Sequence, residues 1–349
     1  MNSSFDRLMA DATRLTRAGD LQQATAAIQA ALRGCTAHAG GDADVIDVEA
    51  HEIEVEPQVS RPQPAPSHPG LFLADRHSHA AGTRDYKLYV PPGSGEQALP
   101  LIVMLHGCRQ NPDDFAAGTR MNEAAARRGF FVLYPAQAQN ANPSRCWNWF
   151  KLNHQRRGSG EPALLASMSQ EVTSRHAIDA KRVYVAGLSA GGAMAAVLGD
   201  AYPDLFAAVG VHSGLPTGSA RNAKAAFDAM KHGAATTVPR AGTAPPTIVF
   251  HGDQDTTVHP INGQHVAAAS AGAALSERER LGNQNGREST RVTYRDADGR
   301  VVVEHWIVHG AGHAWSGGSP RGSYADAKGP DATEQMLRFF FERELGAAR

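Results

Sequence analysis

The amino-acid sequence predicts an α/β fold in which helices cover both faces of a mainly parallel β-sheet. Two observations carry this prediction. From about residue 71 onward, short apolar runs alternate with longer helix-forming stretches, and one of these runs leads through a glycine-rich turn into a helix. Continuously apolar strands are typical of parallel sheets buried on both faces, and helices are the usual connections between parallel strands.

The individual elements of this domain, predicted over residues 71–349, follow from their patterns. Tyr86–Val90 alternates like a half-exposed strand and ends at two prolines, whereas the later strands are continuously apolar. These strands are predicted at 101–105, 130–134, 183–186, 207–211, 247–250 and 301–308. Helices are predicted at 113–128, 161–176, 192–202, 220–232 and 331–346, the last with Asp331 as its N-cap.

The first 70 residues have a different character. Residues 1–34 predict a short helical hairpin that docks on the main domain or self-associates, with a poorly ordered extension as the alternative. Its apolar positions are Phe5, Leu8, Met9 and Leu15 in one helix and Leu21, Ala24, Ile28 and Leu32 in the other. Residues 35–70 are acidic and then proline-rich, a composition that predicts an extended linker.

Composition limits the classes of partner. The net charge of −1 argues against binding to nucleic acid or to an anionic membrane, so we expect a small or neutral partner. No apolar run reaches the roughly 18 residues that a membrane span needs. The N-terminus lacks a basic region followed by an apolar core, which predicts a cytoplasmic location. Three cysteines, at positions 35, 108 and 146, are too few for a disulfide scaffold.

The glycine-rich turn is the strongest chemical signal in the chain. Gly187-Leu188-Ser189-Ala190-Gly191 matches G-x-S-x-G and lies between a predicted strand and a predicted helix. In that context a sharp turn raises a serine hydroxyl above the sheet as a nucleophile. The alternative is a glycine-rich turn with a bystander serine, but the flanking elements favour Ser189 as a nucleophile.

A serine nucleophile needs a base and a carboxylate that orients the base. In this kind of fold both are expected later in the chain, the carboxylate first. Asp253 and Asp255 follow the strand at 247–250 and compete for the role of the acid. Asp253 comes directly after the turn glycine, where fixing the turn is its alternative role, whereas Asp255 lies two residues further on, where a loop can bring it to the histidine, so Asp255 is the predicted acid. His313 follows a flexible Gly-Ala-Gly segment and is the predicted base, whereas His309 lies closer to the strand end and has the alternative of a packed core histidine.

The remaining requirement is a pair of donors for the developing oxyanion. The backbone amide of Ala190 lies at the start of the helix after Ser189, and the amide of Cys108 follows an earlier strand. No metal or other cofactor is expected, because His77 and His79 lie in a predicted loop without a third ligand and no H-E-x-x-H motif is present.

Taken together, the motifs resemble those of the poly(3-hydroxybutyrate) depolymerase family. The segments that carry the resemblance are 105–108 (LHGC), 146–150 (CWNWF), 158–162 (GSGEP), 187–192 (GLSAGG), 251–255 (HGDQD) and 312–318 (GHAWSGG). Such proteins are α/β-hydrolases similar to feruloyl and acetylxylan esterases. The resemblance covers about residues 71–345 and implies ester hydrolysis through Ser189, Asp255 and His313.

The resemblance has further implications. Cysteines equivalent to Cys108 and Cys146 are often bridged in similar secreted enzymes, which implies a disulfide here, with two free thiols as the alternative. That likeness also makes an extracellular location the alternative to the cytoplasm. Trp315 is expected to line the substrate site, Trp147 and Trp149 are candidates for the same role, and His212 is expected to line the pocket or fix a loop.

Three functions compete at this point. The leading expectation is a serine esterase acting on 3-hydroxyalkanoate oligomers, polyester or short-chain esters. A feruloyl or acetylxylan esterase is the alternative within the enzymes. A granule- or partner-binding adaptor with a hydrolase fold is the alternative outside them, and the intact order of serine, aspartate and histidine weighs against it.

Overall fold

The structure, a computed structural model, describes residues 70–234 and 244–346. The helical hairpin predicted over 1–34 lies outside these ranges, as does the linker predicted over 35–70 except for its last residue. Within them the strands are β1 Leu71–His79, β2 Gly82–Val90, β3 Leu99–Leu105, β4 Phe131–Pro135, β5 Ile178–Leu188, β6 Ala208–His212, β7 Thr247–Gly252, β8 Leu275–Gln284, β9 Arg287–Arg295, β10 Val301–Val308, β11 Trp315–Ser316 and β12 Ala325–Asp326.

The helices alternate with these strands. They are α1 Pro112–Thr119, α2 Met121–Arg128, α3 Gly160–Arg175, α4 Ala190–Ala201, α5 Ala223–His232, α6 Ile261–Ala271 and α7 Ala332–Phe341, with a short 3-10 helix at Leu152–His154. Asp331 caps α7 by accepting a hydrogen bond from the Glu334 amide at 3.1 Å. No helix in the described ranges has the length and apolarity needed to cross a membrane.

Ten of the strands form one sheet in the order β1-β2-β4-β3-β5-β6-β7-β10-β9-β8. Its central strands, from β4 to β10, pair in parallel, and the flanking pairs β1–β2, β2–β4, β10–β9 and β9–β8 are antiparallel. The prediction of a mainly parallel sheet is therefore confirmed. Parallel pairing also places the carboxyl ends of β3, β5, β6, β7 and β10 at one edge, where the loops that follow them meet.

The two faces of the sheet carry separate apolar layers. Leu101, Val103 and Leu105 of β3 pack with residues of α3, α4, α5 and α6, whereas Ile102 and Met104 pack with residues of α1, α2 and α7. Complete burial of such side chains contributes about 1.5–3 kcal/mol each. Both faces of β3 are thus apolar because both are covered, which is the reason for its uninterrupted apolar run.

Several elements differ from the sequence prediction. The helix predicted over 113–128 is two helices, because Arg120 between them takes a left-handed conformation with φ 56°. His77 and His79 lie on strand β1 rather than in a loop, so that part of the prediction is wrong. Helix α6 and the β8–β9 hairpin have no counterpart in the sequence prediction. Strand β8 is mostly exposed and carries alternating glutamate and arginine in place of an apolar face.

Candidate active site

Ser189 lies at the tight turn between β5 and α4. Its backbone has φ 58° and ψ −119°, an unfavourable combination for a residue with a side chain. Such a conformation costs about 1–3 kcal/mol and persists only where the surroundings enforce it. Here the Ser189 amide donates a hydrogen bond to the His212 carbonyl oxygen at 2.9 Å, and the Ser189 carbonyl accepts from the Ala193 amide at 2.9 Å.

The glycines on each side of Ser189 make this turn sterically feasible. A Cβ atom at Gly191 would clash with the carbonyl groups of Leu105 and His106. A Cβ atom at Gly187 would clash with the Gly191 carbonyl and lie 2.7 Å from the Leu105 carbonyl oxygen. Only residues without a side chain fit at these positions, because strands β3 and β5 and helix α4 meet there.

Asp255 and His313 are brought together from the loops after β7 and β10. His313 Nδ1 lies 2.7 Å from Asp255 Oδ2. The other carboxylate oxygen, Oδ1, accepts hydrogen bonds from the amides of Thr257 and Val258, both at 2.9 Å. The carboxylate is therefore held from both sides. Because Nδ1 of His313 faces Asp255, Nε2 is the ring nitrogen available for the predicted role of base.

A second histidine also approaches the same carboxylate. His251 Nε2 lies 2.8 Å from the Val258 carbonyl oxygen and 3.4 Å from Asp255 Oδ2. Burial raises the pKa of Asp255, but the hydrogen bonds from His251 and His313 outweigh burial and hold that pKa well below its usual range. Asp255 is therefore charged throughout the neutral range, as orientation of a histidine base requires.

Asp253, the competing acid, pairs with a different histidine. Its Oδ2 lies 2.8 Å from His309 Nδ1, and its Oδ1 accepts a hydrogen bond from the Gly310 amide at 2.7 Å. The other ring nitrogen of His309 lies 2.9 Å from Thr290 Oγ1 on β9. Because these hydrogen bonds occupy both ring nitrogens, His309 holds the loop after β10 and has no nitrogen left for Ser189.

The loop after β3 lies against Ser189. A Cβ atom at Gly107 would be 3.6 Å from Ser189 Cβ, which places Cys108 beside the serine. The buried Gln110 accepts a hydrogen bond from the Gly107 amide at 2.9 Å and donates to Asp114 and Ser323. Gln110 thus ties down the loop that carries Cys108, a role with no signal in the sequence.

Ala190, the other predicted oxyanion donor, is the first residue of α4. Its amide therefore has no acceptor inside the helix and lies at the positive end of the helix dipole. The roles of Ala190 and Cys108 as oxyanion donors stay predictions, which these backbone positions support.

The structure contains the disulfide between Cys108 and Cys146. It joins the loop after β3 to the segment that holds Trp147 and Trp149, and the Arg109 amide adds a hydrogen bond to the Ser144 carbonyl oxygen at 2.8 Å. Two loops that flank Ser189 are therefore linked covalently and by hydrogen bonds, which limits their movement relative to each other.

Ser189 and His313 open into one cavity of about 540 Å³. One wall is helix α5, which contributes Ala223, Ala226, Phe227 and Met230 at helical spacing. Another wall is the pair Trp149 and Phe150, whose rings meet edge to face with centroids 5.7 Å apart. Helix α5 was predicted from the sequence, but its place in the cavity wall was not. The apolar spacing along α5 is the sequence signal for this wall, and in the structure Phe227 is 64% exposed.

Three of the four predicted substrate-binding residues lie in the core instead of the cavity wall. Trp147 is fully buried and donates from Nε1 to the His106 carbonyl oxygen at 3.1 Å. Trp315 packs edge to face on Phe115 and donates from Nε1 to Thr333 Oγ1 at 3.1 Å. Their indole N–H groups are satisfied inside the protein, so the prediction that they contact substrate is corrected, and Trp149 alone of these tryptophans lines the cavity.

His212 is likewise a core residue. Its ring stacks against Phe250 and Trp315, and its Nε2 accepts a hydrogen bond from the Ser316 amide at 3.0 Å. Burial lowers the pKa of His212 to about 3, so the ring is neutral at physiological pH. The structure therefore supports the loop-fixing role that was expected as the alternative, and corrects the assignment of His212 to the substrate site.

Comparison with known proteins assigns the chain to a family. Residues 84–286 match the family model described as esterase PHB depolymerase. The chain belongs to this family. Poly(3-hydroxyalkanoate) depolymerase C from Paucimonas lemoignei is 32% identical over 249 residues, which span 64% of this chain and 57% of that protein.

Other relatives are named as esterases of different substrates. Feruloyl esterase B from Thermothelomyces thermophilus is 31% identical over 179 residues, which span 46% of this chain and 60% of that protein. The chain thus spans between half and two thirds of these relatives. The solved structure of the acetyl xylan esterase from Aspergillus awamori superposes with a TM-score of 0.61 at 21% identity, over 78% of this chain and 98% of that one. This match confirms the α/β-hydrolase fold.

Proposed function

We propose that this protein is a serine esterase that hydrolyses carboxylic esters through an acyl-enzyme on Ser189. The observation that carries the proposal is that His313, whose Nδ1 lies 2.7 Å from Asp255 Oδ2, lines one cavity together with the strained Ser189. A base oriented by a buried carboxylate is what a serine hydroxyl needs to act as a nucleophile. Membership of the esterase family supports the same conclusion.

The reaction follows from these positions. His313 Nε2 removes the proton from Ser189 Oγ as that oxygen bonds to the ester carbonyl carbon, and the carbonyl oxygen becomes an oxyanion. The amides of Cys108 and Ala190 are the proposed donors to this oxyanion. Collapse of the intermediate expels the alcohol, which takes the proton from His313. A water molecule then repeats both steps on the acyl-enzyme and releases the acid and free Ser189.

As substrates we propose 3-hydroxyalkanoate oligomers and other short-chain esters. The depolymerase relatives support this class. The cavity supports it as well, since its walls of alanine, methionine, leucine and aromatic residues provide apolar contact for an aliphatic acyl chain of limited length. A feruloyl or acetylxylan ester is the second candidate, favoured by the relatives with those names.

The test compares hydrolysis of a 3-hydroxybutyrate dimer, p-nitrophenyl butyrate and methyl ferulate by the purified protein. We expect turnover of the first two and a reduction of at least about 10⁴-fold in kcat for Ser189→Ala, because removal of the nucleophile abolishes the covalent route. Ser213→Ala is the matched control: Ser213 also follows a central strand with positive φ, but its hydroxyl lies against the buried His212.

Three outcomes decide between the proposals. Wild-type protein that hydrolyses none of the three esters contradicts the enzyme function. Turnover of methyl ferulate well above that of the dimer selects the second candidate. Activity that survives in Ser189→Ala excludes the acyl-enzyme on this residue.

A further inference from the structure

The cavity beside Ser189 contains one permanently charged side chain among the described residues that line it. This residue is Arg109, which directly follows the disulfide-bonded Cys108. The other described lining residues are apolar or neutral polar groups together with His313, and none of them is aspartate, glutamate or lysine. A single positive charge in a neutral cavity favours a ligand that brings one negative charge.

The position of Arg109 is defined by its backbone. The residue takes the left-handed conformation with φ 67°, which is uncommon for a side-chain-bearing residue. Its amide donates to the Ser144 carbonyl oxygen at 2.8 Å, and the adjacent disulfide links the same two loops. The backbone that presents the guanidinium is therefore fixed, although the side chain itself is exposed.

The guanidinium of Arg109 also has no ion-pair partner within the part of the chain that the structure describes. No carboxylate of residues 70–234 or 244–346 forms an ion pair with it, although most arginines in these ranges have such a partner. An exposed arginine without a partner is often only solvated. At the mouth of a catalytic cavity, however, its planar donors are suited to binding a carboxylate.

We propose that Arg109 is a specificity-determining residue that binds a free carboxylate on the alcohol portion of the ester substrate. This inference rests on the proposed esterase function. In an oligomer of 3-hydroxy acids, the residue at the carboxyl end is esterified through its hydroxyl and ends in a carboxylate two carbons from the carbon that bears the ester oxygen. Cleavage of the last ester bond releases this residue as a hydroxy acid, with its carboxylate against Arg109.

The chain offers a matched control in Arg145. This arginine precedes the other half of the disulfide, Cys146, just as Arg109 follows Cys108, and it also has a positive φ, 52°. Arg145 lines a different, polar cavity of about 500 Å³ together with His106 and Arg84. Replacement of Arg145 thus removes the same charge from the same pair of loops without changing the cavity of Ser189.

The experiment measures kcat/KM for two substrates that share the scissile ester: the 3-hydroxybutyrate dimer as a free acid and its neutral terminal carboxamide. Wild-type protein, Arg109→Gln and Arg145→Gln are compared at low ionic strength. We expect Arg109→Gln to raise KM for the free acid about two- to fivefold, the size typical of an exposed ion pair. Its kcat, its kinetics on the carboxamide and the kinetics of Arg145→Gln should stay unchanged.

Added salt provides an independent reading. The preference of wild-type protein for the free acid should decrease between 0.02 and 0.5 M NaCl, about the range over which the screening length falls well below 10 Å, and Arg109→Gln should show no such dependence. p-Nitrophenyl butyrate, which lacks a carboxylate, separates a loss of carboxylate recognition from a loss of catalysis. Normal turnover of this ester by every variant shows that the esterase itself is intact.

Three results would overturn the proposal. If Arg109→Gln leaves the ratio of free acid to carboxamide unchanged, Arg109 is a solvated surface residue. If Arg145→Gln changes the ratio as much as Arg109→Gln, the effect is a general field of positive charge and is not recognition by Arg109. If wild-type protein hydrolyses no ester at all, the proposed function fails and this inference fails with it.

Discussion

Two Asp–His pairs lie side by side in this molecule, and they differ in what surrounds them. Both aspartates come from the loop after β7 and both histidines from the loop after β10, and the Nδ1–Oδ2 distances are nearly equal, 2.7 and 2.8 Å. The side chain of Asp255 is completely buried and that of His313 is 10% exposed. In the other pair, Asp253 and His309 are each about one third exposed.

The second difference is the group beyond the histidine. Nε2 of His309 lies 2.9 Å from the hydroxyl oxygen Oγ1 of Thr290, within strand β9. His313 instead lines the cavity that it shares with Ser189. The same two residue types therefore fix a loop in the Asp253–His309 pair and form the proposed catalytic pair in Asp255–His313. The two pairs are distinguished by their burial and by the cavity that His313 shares with the strained Ser189, since the distances within the pairs do not distinguish them.

The largest effect should separate the two aspartates. Asp255→Asn is expected to reduce kcat about 10⁴-fold, because an amide no longer stabilises the correct tautomer of His313 or its protonated form. Asp253→Asn, the matched control, should reduce kcat less than about tenfold, since His309 contacts neither the cavity nor Ser189. Steady-state kinetics on p-nitrophenyl butyrate measures both. Equal losses in the two variants would contradict the distinction between a catalytic pair and a structural one.

The next effect concerns three buried histidines, His106, His212 and His305. Unlike His309 and His313, none of them has a carboxylate partner within the described ranges. Burial lowers the pKa of His106 to about 4 and those of His212 and His305 to about 3. Below the unfolded value of about 6.5, the unfolded chain binds protons that the native protein does not, so stability is present above this pH and decreases as pH falls.

The expected loss is about 1.4 kcal/mol per histidine at pH 5.5, and thus roughly 4 kcal/mol for the three. Urea denaturation between pH 7.5 and 5 measures it. His305→Leu should remove about one third of the pH dependence, because it removes one of the three titrating groups. His305 suits this test since its buried Nε2 has no hydrogen-bond partner within the described ranges that the substitution would remove. A free energy of unfolding that stays constant over this pH range would contradict the expectation.

The smallest effect should come from the exposed pair. His309→Ala removes the hydrogen bonds to Asp253 and Thr290 and is expected to lower the free energy of unfolding by about 1–2 kcal/mol. Its turnover rate should stay within a few-fold of the wild-type value. Thr290→Val, which removes a single one of these bonds, should lower stability less. If the turnover rate of His309→Ala instead fell about as far as that of Asp255→Asn, this histidine would take part in the reaction.

Much of the fold could be predicted because its central strands are buried on both faces. β3, β4, β5, β6, β7 and β10 are all apolar over most of their length, and the predicted segments fall within one residue of these strands or inside them. The edges could not be predicted in this way. Strand β8 exposes nearly every side chain, so its pattern contains no apolar face that distinguishes it from a loop.

The residues of the candidate site likewise fall into those that the sequence predicts and those that it does not. Ser189, Asp255 and His313 follow from a local motif and from their order after strands whose ends meet at one edge of the sheet. The residues that line the cavity could not be predicted, because an aromatic side chain packs equally well in a core or on a cavity wall. Trp149 and Trp315 look alike in sequence, and only the structure places one against the cavity and the other against Phe115.

The sequence by itself determined the parallel core, the strained turn at Ser189 and the chain order of the proposed acid and base. These depend on local sterics and on apolar periodicity, which are written in neighbouring residues. The tertiary structure alone decided which aspartate pairs with which histidine, that α5 forms a cavity wall, and that Arg109 lies at that cavity without a carboxylate partner among the described residues. These outcomes depend on how loops distant in sequence are packed, and burial and charge at such contacts are properties of the folded chain.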